Sequence, residues 1–278
     1  MNSTARPPLR EVIARHGLAA RRSLGQHFLL DGNLLGRVVR IAGPLTGRHV
    51  IEVGPGPGGL TRALLDSDAA TVTVIEIDRR AVAAMGELAA ETGSRLTVIE
   101  ADALSLDLSA LVAGPRQVIA NLPYNIATPL LIDWLRHASA FERLTLMFQQ
   151  EVAERICAAP GTSAYGRLSV LSQWLANAGI ELRIPPAVFI PPPQVWSAVV
   201  RLVPHSAQPA PPLIAAMERL TAAAFSQRRK MLRTTLRPLG GEVLLASAGI
   251  DGRRRAETLD IAEFDRLVRL LPGNAEFM

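Results

Sequence analysis

The sequence predicts an α/β fold, a parallel, doubly wound sheet joined to a smaller, all-helical C-terminal domain. Three observations carry this. Between residues 49 and 148, short apolar runs alternate with helical periods, a pattern that packs as parallel strands with crossover helices. The first run leads into the glycine-rich turn Gly54-Pro55-Gly56-Pro57-Gly58-Gly59. After the Pro- and Ala-rich stretch 204–212, only helical periods recur. The expected domains are therefore 1–205 and 206–278.

In chain order, Leu9 to His16 reads as a short helix stopped by Gly17, and residues 21–30 as a connecting or ligand-covering segment. Asp31 is placed to cap a helix that runs to Ile41. Strands are expected at His49–Val53, Thr71–Ile77, Arg95–Glu100, Val118–Ala120 and Leu144–Phe148, with helices between them. Two further helices follow at 149–158 and 166–176, separated by a mobile loop at 161–165. Phe189-Ile190-Pro191-Pro192-Pro193 is a rigid segment excluded from a central strand, because proline lacks the ladder donor. A closing strand is expected over 196–203. Helices over 213–236, 243–248 and 261–271 complete the chain.

Composition narrows the class. A hydrophobic fraction of 49% supplies a core, and with only 4% aromatics that core must be aliphatic. The formal charge is +5 and rests on arginine, Lys230 being the only lysine. That bias reads first as genome composition; planar guanidinium groups also suit phosphate, which is consistent with an anionic partner. The lone Cys157 excludes an internal disulfide and a multi-cysteine metal site, and no metal is expected. No signal peptide or membrane span is read, so a cytoplasmic protein without membrane contact is expected.

Chemistry is concentrated at the ends of the strands. After Gln117-Val118-Ile119-Ala120 comes Asn121-Leu122-Pro123-Tyr124. Pro123 fixes its own φ and biases Leu122 toward an extended backbone. An amide oxygen, a peptide carbonyl and an aromatic ring would then face one crevice. Two such acceptors, on Asn121 and Leu122, would hold the hydrogens of an adenine amine, while Tyr124 stacks on the base. The plainer reading is a strand-end turn with a buried Asn and a core Tyr. The glycine turn, with Glu76 ending the next strand, fits a nucleotide site in which the carboxylate receives a ribose diol. Glycine turn and acid alone leave NAD and S-adenosylmethionine both open. Glu52 before the first glycine, Asp102 after the third strand and the tetrad after the fourth favour the methyl donor. Singly, Asp102 reads as an N-cap and Glu76 as an exposed strand end.

With these residues in place, the chain resembles the ribosomal RNA adenine dimethyltransferase family over about residues 9 to 270. The marks are Gly25-Gln26-His27-Phe28-Leu29, Glu52-Val53-Gly54-Pro55-Gly56, Glu76-Ile77-Asp78 and Asn121-Leu122-Pro123-Tyr124. Phe189-Ile190-Pro191-Pro192-Pro193 with Val195 and Ser197, and Ala224 to Lys230, complete them. The resemblance implies a Rossmann-like methyltransferase sheet and S-adenosylmethionine as cofactor. It implies donor contacts at His27, Leu29, Gly54, Glu76, Asp102 and Asn121. It implies Phe189 as a second wall of the base slot opposite Tyr124. It also implies transfer of four methyl groups in all to two adjacent adenosines near the 3′ end of small-subunit (16S) rRNA.

Arg228, Arg229, Lys230 and Arg233 are expected on a basic helix, with Arg229, Arg233 and Arg237 along one face. Such a run is usually a solvated face. Here it is read as a phosphate contact, extended by Arg21 and Arg22. A monomer acting on 16S rRNA is expected. The alternatives are a resistance methyltransferase of the large subunit and a non-catalytic small-subunit assembly factor.

Overall fold

The computed structural model describes residues 6–20 and 26–273; Arg21, Arg22 and Gly25, all singled out above, lie outside them. Two compact units result, one of residues 1–150 with 180–203, the other of 151–179 with 204–278. One crossing between the units falls at 203/204, and residues 151–179, placed in the first domain by the sequence reading, group with the C-terminal unit. The reason is packing. The helix over Arg167–Leu175 buries its apolar side against helices Pro211–Ala224 and Ile261–Arg269 of its own unit.

The first unit carries the sheet. Its strands are β1 (Phe28–Leu29), β2 (His49–Val53), β3 (Thr71–Glu76), β4 (Leu96–Glu100), β5 (Arg116–Asn121) and β6 (Arg143–Gln149). The later ones are β7 (Ala176–Ile184), whose residues 176–179 are counted with the second unit, β8 (Phe189–Ile190) and β9 (Ser197–Pro204). The main sheet runs β4-β3-β2-β5-β6-β9-β7. Pairs β2–β3, β3–β4, β2–β5 and β5–β6 are parallel, and β6–β9 is antiparallel. Central strands are covered on both faces, which is why Val50, Val72, Val74, Val118 and Ile119 are all fully buried. Helices α1 (Leu9–Arg15), α2 (Gly32–Ile41), α3 (Gly59–Leu65), α4 (Arg79–Thr92), α5 (Leu108–Leu111) and α6 (Ala127–Arg136) complete this unit. Asp31 caps α2 as expected, accepting from the N–H groups of Asn33 and Leu34 at 2.9 and 3.0 Å.

The strand order reverses between β2 and β5. A parallel sheet opens a crevice at such a point, outside the carboxyl ends of the two strands. Ile51 pairs with Val118, so the same register carried forward sets Gly54 level with Asn121. The expected fold class holds, while β7 and the antiparallel ribbon of β1 and β8 are additions to it.

The second unit is helical: α7 (Gln150–Ile156), α8 (Arg167–Leu175), α9 (Pro211–Ala224), α10 (Leu232–Thr235), α11 (Gly241–Ser247) and α12 (Ile261–Arg269). The loop 161–165 is held in place. Tyr165 is fully buried with its ring edge-on to Phe225 at 6.1 Å, and Phe225 stacks on Phe264 at 5.8 Å. The helix expected over 213–236 is broken. After α9 the Ser226 hydroxyl donates back to the Ala223 carbonyl at 2.7 Å, and the chain turns before α10. The Arg228 guanidinium donates to the carbonyls of Ser163 and Tyr165 at 2.8 and 3.0 Å, which ties that turn to the loop. No helix of the described residues is long and apolar enough to cross a membrane.

Candidate active site

The carboxyl ends of β2 to β5, with the segment 26–29, enclose a cavity of about 240 Å³. His27, Leu29, Gly54, Glu76, Asp102, Asn121, Leu122 and Tyr124 all line it. The structure thus brings together every strand-end residue that the sequence singled out.

The glycine turn needs its glycines. Gly54 has φ +70°, and a Cβ there would lie 3.3 Å from Pro123 Cδ. Gly56 has φ +54°, and its Cβ would lie 2.9 Å from the Phe28 ring. A side chain at either position would be strained and would push into the cavity wall. The backbone is left bare where a ligand can approach it closely.

Glu76 is held by three backbone donors. Oε1 accepts from Ile77 and Asp78, both at 2.9 Å, and Oε2 from Gly56 at 3.3 Å. Burial raises its pKa, and those hydrogen bonds pull against the rise. A carboxylate has about four acceptor sites, so Oε2 keeps capacity for a hydroxyl. Asp102 uses Oδ1 to cap the next turn at Leu104 N–H, 3.0 Å, and Oδ2 has no partner among the described residues. The N-cap reading and the ligand reading of Asp102 are therefore compatible. Ile77 and Leu104, 54% and 49% exposed, face the same cavity and were not found from the sequence. The available signal was an apolar residue placed one or two positions after each strand-end acid. Two such side chains suit the faces of a flat heterocycle.

Glu52 lies deeper. It is 1% exposed and accepts from Thr61 Oγ1 at 2.7 Å. Burial pushes its carboxyl up to about 8, the Thr61 hydrogen bond pulls against this, and the charge of Glu76 adds to the rise. Glu52 is therefore largely protonated at neutral pH and would ionise beside a cationic ligand.

The tetrad is fixed from outside itself. Asn121 Nδ2 donates to the His27 carbonyl at 3.2 Å. A carbonyl only accepts, so the amide cannot be flipped, and Oδ1 is left as an acceptor toward the cavity. The Tyr124 and Ser197 hydroxyls share a hydrogen bond of 2.6 Å. The His27 ring stacks on Tyr124, with centroids 5.4 Å apart and planes at 28°. Its Nδ1 donates to the Pro191 carbonyl at 2.8 Å.

Phe189, expected opposite Tyr124, is not among the residues that line the cavity. It is 1% exposed and pairs with Leu29 in the β1–β8 ribbon. Its ring faces the core because its neighbour Ile190 takes the exposed side of that ribbon. The ring beside Tyr124 is that of His27.

The basic residues are placed differently from the single helical face expected. Arg229 and Lys230 are exposed in the turn after α9, Arg228 is tied to the 161–165 loop, and Arg233 stands 3.7 Å from Glu242. Arg229 lies in the turn after α9, Arg233 in α10 and Arg237 beyond its end, so no single helix carries the three.

Comparison with known proteins decides the class of this site. The model of the family described as ribosomal RNA adenine dimethylase matches residues 17–272. The chain belongs to that family. Ribosomal RNA small subunit methyltransferase A of Gluconobacter oxydans is 62% identical over 264 residues, covering 95% of this chain and 87% of that one. The protein of the same name from Rhodospirillum rubrum is 57% identical, covering 95% and 92%. Among solved structures, a dimethyladenosine transferase from Plasmodium falciparum superposes with a TM-score of 0.73 at 26% identity, covering 87% of this chain and 96% of that one. The 23S rRNA methyltransferase ErmE superposes at 0.66, also with 26% identity, covering 88% and 99%. As a ribosomal RNA adenine dimethylase the chain is an S-adenosylmethionine-dependent methyltransferase acting on rRNA. The donor set fits that cofactor: a bare glycine turn, two carboxylates with remaining acceptor capacity, two apolar walls and one buried acid able to take a negative charge.

Proposed function

We propose that this dimethylase converts two adjacent adenosines near the 3′ end of 16S rRNA to N6,N6-dimethyladenosine, acting as a cytoplasmic monomer on the small ribosomal subunit or its precursor. The observation that carries the reading is the locked Asn121 amide, whose Oδ1 stays an acceptor because Nδ2 is held by His27. An adenine amine is a poor nucleophile while its lone pair is delocalised into the ring. Asn121 Oδ1 and the Leu122 carbonyl accept its two hydrogens and favour a pyramidal nitrogen. Tyr124, braced by Ser197, offers a ring for the base. The bound cofactor supplies the electrophilic methyl group.

His27, Leu29 and Gly54 line the donor with backbone, Glu76 takes the ribose hydroxyls, and Asp102 takes the adenine amine. Catalysis is mostly positioning and exclusion of water. Exposed Arg229 and Lys230, with Arg233 and a shared contribution from Arg228, contact phosphates and give affinity that weakens with salt. The target base must leave its stack, at a cost of a few kcal/mol. Assignment to the small subunit is supported by the two relatives above 55% identity, both named for it.

The test is transfer of labelled methyl groups onto ribosomal subunits from cells lacking this modification. Label recovered as dimethyladenosine from 16S rRNA is the expected result. Label confined to large-subunit RNA, or no label, would overturn the assignment.

A further inference from the structure

The segment 190–196, which leads into the buried Ser197, exposes a run of apolar side chains. Ile190, Val195 and Trp196 are 45%, 44% and 48% exposed, within a segment that also presents Pro191 and Pro192 to solvent. Nothing in the site described above uses them. Their segment is clamped at both ends to the two stacked rings of the slot. The Pro191 carbonyl receives His27 Nδ1 at 2.8 Å, and the buried Ser197 hydroxyl holds Tyr124 at 2.6 Å. The prolines stiffen the span between those clamps, and Cα of Trp196 is a single residue step of about 3.8 Å from that of Ser197.

We propose that this rim is a stacking platform for the nucleotide next to the adenosine held at Tyr124, with the Trp196 indole as its floor. The proposal rests on the adenosine-modifying reading above and extends it to a second base. An RNA strand that delivers one flipped adenosine to Tyr124 must bring its neighbour within a few ångströms of the slot's edge, and that base has lost a stacking partner. An exposed indole replaces the lost stack without reading sequence, because every base offers a π face. A protein partner would equally cover apolar side chains, but a rim tied to both slot rings favours the strand that enters the slot.

Trp196 supplies its own reporter. Trp134 is 1% and Trp174 9% exposed, so Trp196 is the tryptophan open to solvent. Trp196→Ala is expected to raise KM for unmethylated small subunits about 5- to 150-fold, the range of one lost base stack. Its kcat, its affinity for S-adenosylmethionine and its melting temperature should stay near wild type, and Trp196→Phe should recover most of the loss. A short single-stranded RNA with two adjacent adenosines should quench wild-type tryptophan emission and leave that of Trp196→Phe unchanged. A wild-type KM in Trp196→Ala, or equal quenching in Trp196→Phe, would overturn the proposal. Failure of the wild-type protein itself to methylate small subunits would instead reject the reading beneath it.

Discussion

Replacing Asn121 by alanine is expected to slow single-turnover methyl transfer by about 10²- to 10³-fold, the cost typical of removing one preorganised polar contact from a reacting centre. RNA affinity should hardly change, because phosphate contacts on other residues supply most of it. The loss has two parts. The acceptor on the amine disappears, and the His27 carbonyl loses the donor that now fixes the wall of the slot. Asn121→Asp separates them: it keeps an acceptor but sets a carboxylate against that carbonyl, so its rate should fall between the two. Single-turnover rates with saturating cofactor and quantified RNA binding make the check. An Asn121→Ala enzyme with wild-type turnover would remove Asn121 from the chemistry.

Stability of the ligand-free protein should fall as pH rises from about 4.5 toward 8, and Glu52→Gln should remove that fall. The sign follows from linkage. The Glu52 carboxyl is pushed up to about 8 in the folded chain, so between its unfolded and folded values the native state binds more protons than the unfolded state. Stability then decreases with rising pH, by up to about 1.4 kcal/mol per unit for one group. In the Glu52→Gln variant the new amide oxygen would accept from Thr61 as the carboxyl does, but the side chain has no proton to lose. Histidines and other carboxylates titrate in both proteins, so the difference between the two denaturation curves isolates Glu52. Parallel curves from pH 5 to 8 would show that Glu52 is ionised in the folded chain.

Local patterns were the legible part. The glycine turn, the acids at strand ends and the Asn121–Tyr124 tetrad are each set within a few residues, and the alternation of strands and helices placed them on one edge of one sheet. What escaped depends on distance along the chain. Strand β7 does alternate, with Ala176, Ala178, Ile180, Leu182 and Ile184 in step, but Asn177 and Gly179 break the β signal and hide it among helical periods. The resemblance sets Phe189 opposite Tyr124. Which side of a two-residue ribbon it takes is decided by its pairing with Leu29, far away in sequence. The stack of His27 on Tyr124 is of the same kind. Ile77 and Leu104 were missed because their one cue, an apolar residue one or two positions after a strand-end acid, does not by itself separate a cavity wall from core filling. The helix break after Ala224 goes with Arg228 reaching the 161–165 loop, a tertiary contact that local helical preference does not reveal.

On the proposed mechanism, methyl transfer turns on two acceptors, Asn121 Oδ1 and the Leu122 carbonyl, meeting one amine. The most direct measurement is a crystal structure of the chain with S-adenosylhomocysteine and an RNA fragment bearing the target adenosines. The target N6 is expected at hydrogen-bond distance, about 3 Å, from both oxygens, with the base on the Tyr124 ring. An ordered target adenine whose N6 meets neither oxygen, or an Asn121 amide turned away from the cavity, would contradict it.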